Sequence, residues 1–517
     1  MSERQMSAGV RRRTVLTGAL AAGVAGVAGC GADAGAGAGS SSPRRGGRLR
    51  LVALGSPTGG LNPLTATDGA SFIAMFQLYG QLVRLQGDKV VTSLAESVEP
   101  NADATAWTIR IRDGARFHDG RAVTAADVAY SIRQFGDPKR SSTFGQLYAD
   151  VDLANLKVHD ARTVEVPLRR ARGDLVDSVL AQMSLVFPDG TTDRDWVKGV
   201  GSGPFRLVSA AGGGVTLARN DEYWGGAPLL DEVTVAVVVD PAARLNSVRG
   251  GQADYAVDVT PAGARSVANS ADVQIRRGGP ANSMGRSFEM NVQTDPFRDA
   301  DVRRALRLLV DRQQLVDNVL LGQGQVGNDL YGLGLPGYNT ALPQRTRDVE
   351  QARSLLAKAG VTRLTIKAAD LQAGTVDAAR LLAEQAREVG LTITVEQAPA
   401  DTYFNDYAGV LSTPFQAFYF INRPAATMIS TYTGSDSSFN ITGVRGGDFD
   451  RQLVSARATV DDAARRERFN ELQRYLWDSG GDLVWGYAEQ LDAVRPGVGG
   501  VQLNQSVPLL ATAYLPA

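Results

Sequence analysis

The chain has two histidines, His118 and His159, and a single cysteine, Cys30, which bounds its metal and base chemistry at once. A metal site built by the protein needs three or four imidazole, thiolate or carboxylate ligands at close spacing. No H-E-x-x-H, His/Cys cluster or calcium-loop pattern occurs. No cofactor is expected, and a bound metal would have to arrive inside a chelator. Gly201-Ser202-Gly203 sets a serine between glycines, but a nucleophile elbow places glycines two before and two after the serine, and Val200 holds the first position. Gly322-Gln323-Gly324-Gln325-Val326-Gly327 spells G-x-G-x-x-G, yet the pattern before it predicts a helix over 312–321, whereas a dinucleotide fingerprint follows a strand. No catalytic residue is therefore assigned. What remains is suited to holding a ligand: the ring-rich stretch 401–420, with Asn422 and Arg423 beyond it.

Cys30 ends an uncharged, weakly apolar stretch, residues 14–29, that follows Arg11-Arg12-Arg13. Basic residues ahead of an apolar segment too short to span a bilayer stably predict a signal peptide over 1–29. Arg12-Arg13 resembles a twin-arginine export signal, although a general secretory signal can also begin with several arginines. Val27-Ala28-Gly29-Cys30 resembles a lipobox, in which the cysteine sulfur takes a diacylglycerol thioether and the chain is cut before it. Cys30 is thus the expected lipidation site. Since two or more acyl chains hold firmly, the mature protein is expected on the outer face of the cell membrane, or in the periplasm, through a lipid anchor. Residues 30–46, mostly Gly, Ala and Ser, read as a flexible tether. Loss of residues 1–29 leaves 50 basic and 54 acidic residues, so nothing in the charge asks for nucleic acid.

The ligand-holding residues need a scaffold, and 517 residues with 44% hydrophobic content suffice for two or three domains. Residues 107–132 carry the densest local signals. Trp107, Ile109 and Ile111 alternate with Thr108, Arg110 and Arg112, which predicts a half-buried strand. Residues 115–117 read as a short second strand stopped by His118-Asp119-Gly120, and Thr124 with Asp127 predicts a capped helix start. Residues 48–54 read as a strand, and 71–85 as a helix burying Phe72, Met75, Phe76, Tyr79 and Val83. Val302, Ala305, Leu306 and Leu309 recur at helical spacing, which turns the neighbouring arginines sideways, solvated or paired. Leu364-Thr365-Ile366, a helix over 377–389 and a strand over 391–395 predict a strand-helix-strand unit with parallel strands. The last helix, 461–478, turns Ala464, Phe469, Leu472, Leu476 and Trp477 inward, and 483–487 follows as a buried strand.

Trp107-Thr108-Ile109, Arg112-Asp113-Gly114, Phe117-His118-Asp119-Gly120 and Thr124-Ala125-Ala126-Asp127-Val128 together resemble the signature of the extracellular solute-binding proteins of family five, the oligopeptide, dipeptide and nickel type. Gly201-Ser202-Gly203-Pro204-Phe205, Arg219 to Gly226 and Gly251-Gln252-Ala253-Asp254 resemble further family motifs, and the resemblance covers about Gly47 to Tyr487. It implies an α/β, two-lobed periplasmic-binding-protein-like fold of type II in its large three-subdomain form, with a hinge between the lobes. Lobe I would comprise 47–66, 200–280 and 486–517, a subdomain over 67–199 would be inserted in it, and 281–485 would form lobe II. The protein would be a monomer that captures a peptide or similar small organic solute between the lobes and hands it to the permease and ATPase of an ABC importer. Cleft residues expected from this fold are Thr58, Asn62, Asn282, Ser283, Tyr419, Asn422, Arg423, Trp485 and Tyr487. Peptide-binding relatives carry an acid near position 423 that pairs with an ammonium; here Arg423 would hold a carboxylate or phosphate, unless it pairs with a neighbouring aspartate. Two other readings stay open: the same fold used as a sensor or folding helper, and a secreted enzyme, for which a nucleophile and base are wanting.

Overall fold

The computed structural model describes residues 43–56 and 60–516. The expected signal peptide, Cys30, most of the tether and Thr58 lie outside the described residues. Strand Arg48–Ala53, alternating as its residues predict, stands inside a seven-stranded sheet between Glu232–Val237 and Tyr255–Ala256. Both neighbours run parallel to it, and Leu49 and Leu51 are buried beneath the covering helices. On that strand Arg50 pairs with Asp254 of the Gly251–Asp254 motif at 2.8 Å, which fixes the motif against the sheet.

A second sheet has six strands in the order Gly324–Val326, Asp482–Glu489, Ser283–Met290, Phe415–Ile421, Arg363–Ala368, Thr392–Gln397. Its last pair is parallel, joined by helix Thr375–Ala386, as the strand-helix-strand pattern requires. Gly324–Val326 is a strand paired with Asp482–Glu489, so the G-x-G-x-x-G run is spent on a sheet edge. The chain passes between the sheets twice, at residues 278–282 and at Gln490. The passes bond to each other: Gly278 N–H donates to the Gln490 carbonyl at 2.9 Å, and Gln490 N–H to that of Asn282 at 3.0 Å.

The signature stretch builds a third sheet, in which Ala106–Ile111 lies between Ala95–Pro100 and Thr163–Pro167, with helix Ala125–Gly136 against it. Asp127 Oδ2 accepts from the Thr124 N–H at 2.7 Å, and Oδ1 from the Asp189 N–H at 2.7 Å, so the first-turn carboxylate also pins the segment entering from position 189. Three motifs far apart in sequence meet at one turn. His118 Nδ1 accepts from the Gly201 N–H at 3.2 Å and Nε2 donates to the Gly203 carbonyl at 3.1 Å; Asn220 donates to that same carbonyl at 3.0 Å, and Trp224 Nε1 to the Ser202 carbonyl at 2.9 Å. The glycines are required because the end of helix Gly69–Leu78 presses on them: a Cβ at Gly201 would lie 2.0 Å from the Leu78 carbonyl oxygen, and one at Gly203 2.2 Å from that of Gln77.

Four local expectations are corrected. Helix Gly69–Leu78 stops well short of residue 85, because Gly80–Gln81 leaves to pair with Leu185–Val186. Residues 115–117 make a single bridge, Arg116 to Ala122, since the His118 N–H is taken by Gly201 instead of a strand partner. Ala464 lies on the solvent side of helix Asp462–Ser479, whose inward face begins at Phe469. Arg303 is buried and, among the described residues, neither solvated nor paired with an acid. Arg303 and its helix neighbour Arg307 cap the last carbonyls of helix Asp462–Ser479, Arg303 reaching Ser479 at 2.6 Å and Arg307 reaching Asp478 at 3.4 Å, and Arg307 also donates to the Asp482 carbonyl at the start of the next strand at 3.0 Å. Arg312 pairs with the buried Asp329 at 2.8 Å.

Burial disfavours the charged ring and pushes the His118 imidazole below its ordinary value, against the opposite pull of its bond to the Gly203 carbonyl. Its contribution to stability is therefore present above about pH 6.5 and is lost as pH falls through the window beneath that value. The melting temperature of His118→Gln should fall less steeply than wild type between pH 7 and 5; parallel profiles would show that the ring is not titrating against the fold.

Candidate functional site

The expected cleft residues divide by what their polar atoms already hold. Asn422 is buried, donates to the carbonyls of Pro280 at 3.0 Å and Leu333 at 2.8 Å, and accepts from the Gly332 N–H at 3.1 Å. Ser283 donates to the Pro280 carbonyl at 2.6 Å. Asn282 donates to Gly278 at 2.9 Å and accepts from the Ser506 N–H at 2.9 Å. These three side chains brace the passage between the sheets, and none has its amide or hydroxyl free to turn to a ligand. Asn62 uses its Oδ1 in its own turn, accepting from the Leu64 N–H at 2.9 Å.

Trp485 and Tyr487 do not share a wall. A period of two would put them on one face, but Ser287 faces Val484 and Arg286 faces Gly486, so Trp485 is the extra residue of a bulge. The bulge leaves Trp485 in the core with Leu483 and Phe288, and turns Tyr487 to the other face with Val484. Tyr487 is fully buried and its hydroxyl donates to the Leu330 carbonyl at 2.5 Å. Tyr487 is thus a core residue behind the strand and is withdrawn as a ligand contact, whereas Trp485, though buried, lines a gap beside Arg286.

Tyr419 and Arg423 remain, and the fold adds partners that the linear pattern did not show. Tyr419 is half-buried, stacks on Phe418 with ring centres 5.5 Å apart, and stands opposite Arg286 in the sheet. Arg423 is half-buried beside Tyr432, and its Nη1 is buried without a hydrogen-bond partner. No carboxylate among the described residues pairs with it, so the reading of Arg423 as a neighbour's counter-ion has no support here. Burial pushes the Arg423 and Arg286 guanidiniums down to about 10, which still leaves both charged at neutral pH. Two retained, incompletely bonded cations beside tyrosine rings are the chemistry of an anion receptor.

Further along the seam lies a polar cavity of about 90 Å3. Gln146, Arg170, Arg172 and Ser178 line it from one side, and Thr427, Ser430, Asp436 and Arg457 from the other. Ion pairs cross it: Arg457 to Asp150 at 2.7 Å and Arg170 to Asp436 at 2.5 Å. Asp150 also takes Arg172 at 2.7 Å, and Arg172 in turn takes the fully buried Asp174 at 2.5 Å. Burial alone would raise Asp150, but the coulombic pull of Arg172, with Arg170 and Arg457, outweighs it and holds the carboxyl below the usual range. The backbones also touch, the Gly173 N–H donating to the Arg457 carbonyl at 2.6 Å. Linear reading missed these residues because each half of the network is an unremarkable charged run. The one available signal is the placing of Arg170 and Arg172 around Ala171 and before Gly173, small residues that permit close approach.

Residues 89–439 match the middle region of the bacterial extracellular solute-binding proteins, family 5. The chain is 24% identical over 483 residues to the di/tripeptide-binding protein 2 of Pseudomonas aeruginosa, covering 86% of this chain and 90% of that one. It is 24% identical over 480 residues to the nickel-binding periplasmic protein of Escherichia coli K12, with the same two coverages of 86% and 90%. In fold it is similar to the ABC transporter substrate-binding protein CtaP of Listeria monocytogenes, with TM-score 0.78 and 20% identity, over 91% of this chain and all of that one.

Breaking a buried ion network from one side leaves uncompensated charge, which costs about 3 to 5 kcal/mol, whereas an exposed pair contributes at most about 1 kcal/mol. Asp150→Asn should therefore lower unfolding stability in urea by roughly 3 kcal/mol, and Asp436→Asn by less than about 1 kcal/mol. Equal losses would mean that the crossing is not organised around Asp150.

Proposed function

Because the chain belongs to the family 5 bacterial extracellular solute-binding proteins, which bind solutes for transport and are not enzymes, we propose that it captures a peptide or similar small organic solute bearing a carboxylate between its two sheets. The loaded protein docks on the permease of an ABC importer, whose ATPase supplies the energy of transport. The observation that carries the ligand reading is Arg423, a half-buried guanidinium with an unpartnered Nη1 beside Tyr432. A cation kept in that state is poised for an anion that arrives from outside, and the rings of Tyr419 and Tyr432 offer surfaces on which the rest of a solute packs.

The division into lobes follows the passes at 278–282 and Gln490: 47–66, 200–280 and 486–517 on one side, with 67–199 inserted, and 281–485 on the other. Bending at the two passes opens the seam; the Asp150 network holds it shut. Only a shape that differs between loaded and empty protein can report loading to a permease. A lipid on Cys30 keeps the monomeric receptor near its partner, tethered through 30–46. Among the described residues no helix is long and apolar enough to cross a membrane.

Native mass spectrometry of the purified chain, followed by a thermal-shift panel of peptides, opines, oligosaccharides and metal chelates, tests the receptor reading. Arg423→Ala should weaken a carboxylated ligand found in this way by about 1.5 to 3 kcal/mol, the range for a charge-assisted bond, and leave the binding of a neutral analogue unchanged. Unaltered affinity for the carboxylated ligand would remove Arg423 from the site.

A further inference from the structure

Arg286 is the most conspicuous polar side chain that the fold leaves unused. It lies on strand Ser283–Met290, between Gly486 on one neighbour and Tyr419 on the other. It is 8% exposed, its Nε and Nη1 are buried without partners, and it forms no ion pair among the described residues. By contrast the buried Arg244 donates to the carbonyls of Val257, Val238, Val239 and Asp258, and Arg312, though its Nε is unpartnered, is paired with Asp329. A guanidinium withdrawn from water with no partner destabilises the empty protein, so its presence points to a partner that comes and goes.

A second feature faces the same space. The gap beside Arg286 is narrow, lined by Phe288, Ala417, Phe418 and Trp485, and bordered by Gly374 and Thr375, where helix Thr375–Ala386 begins. Gly374 supplies no capping side chain; the Thr375 N–H goes to the Gln372 carbonyl at 3.1 Å and the Val376 N–H to Asp370 at 3.3 Å, and Asp377 stands in the first turn. The positive end of a 12-residue helix and a free guanidinium thus converge. Arg286 and Arg423 serve different places: Tyr419, four residues before Arg423 in the chain, stands opposite Arg286 in the sheet. Asp258 approaches Arg286 from the first sheet without pairing with it.

Resting on the receptor reading, we propose that Arg286 and the start of helix Thr375–Ala386 form a second anion subsite, so that the solute carries two separated carboxylates. Arg423 takes one and Arg286 the other, with the tyrosine rings along the span. A monocarboxylate leaves one guanidinium buried and bare, which is the basis for rejecting it.

The test uses the full chain and matched probes: glutarate, adipate and pimelate against their monoamides, and the dipeptide Ala-Glu against Ala-Gln, followed by calorimetry and thermal shift. In at least one pair the diacid should bind tenfold or more tightly than its amide. Arg286→Met, with Arg286→Gln as a second variant, should bring that ratio to within twofold while leaving the amide's affinity unchanged. It should also raise the melting temperature of the empty protein, because an unpartnered buried cation is removed. A lowered melting temperature in both variants assigns Arg286 a structural role and overturns the proposal. So does loss of the preference in Asp258→Asn, which would make Arg286 the counter-ion of Asp258. If the amides bind but no diacid is preferred, this proposal fails and the receptor reading stands; if no probe binds wild type, both fall.

Discussion

Everything on either side of the seam is referred to one short contact, the pair of main-chain hydrogen bonds by which Gln490 joins Gly278 and Asn282. At this place one segment leaves the first sheet for the second and another returns from the second to the first, and between the sheets neither has a ladder partner. Bonding them to each other keeps their polar groups satisfied where no ladder is available. Asn282, Ser283 and Asn422 then attach the flanking loops to the same point through Gly278, Pro280, Gly332 and Leu333. The cost is that these side chains are no longer available for recognition. The gain is that the residues just beyond, Arg286 on one strand and Tyr419 on the next, are held in fixed register at the seam.

The arginines show how the molecule separates support from recognition. Arg303, Arg307 and Arg244 are buried but end on main-chain carbonyls. Arg312 and Arg345 converge on the buried Asp329, and Arg345 also lies over the Trp477 ring at 3.8 Å. Each of these guanidiniums recovers in the protein what it gave up in water. Arg286 and Arg423 have no acid paired with them among the described residues, unlike Arg170, Arg172 and Arg457 farther along the seam.

Local chemistry was legible in the sequence wherever the deciding partner lies close in the chain. The alternation of Trp107, Ile109 and Ile111, the Asp127 helix start and the parallel strand-helix-strand unit all appear where their residues put them. The motif glycines at 201 and 203 could be read as fold determinants, although the helix end that demands them was not visible. What could not be read was set by distant partners or by one residue of register. The bulge at Trp485 reverses the face of Tyr487, and no composition signal announces it. The buried state of Arg303 depends on carbonyls that arrive from Gly480 and Ser479, far along the chain. Asp150, Arg172 and Arg457 become a unit only because two separate segments face each other.

Gly173 gives that facing arrangement a sharp steric limit. A Cβ built there would lie 1.9 Å from the Thr459 carbonyl oxygen, so the two backbones approach as closely as a hydrogen atom in place of a side chain allows. Any larger residue would act as a doorstop, touching only as the seam narrows and leaving each half of the molecule internally undisturbed. The position therefore sets how far the jaws can travel, independently of which groups attract one another across them.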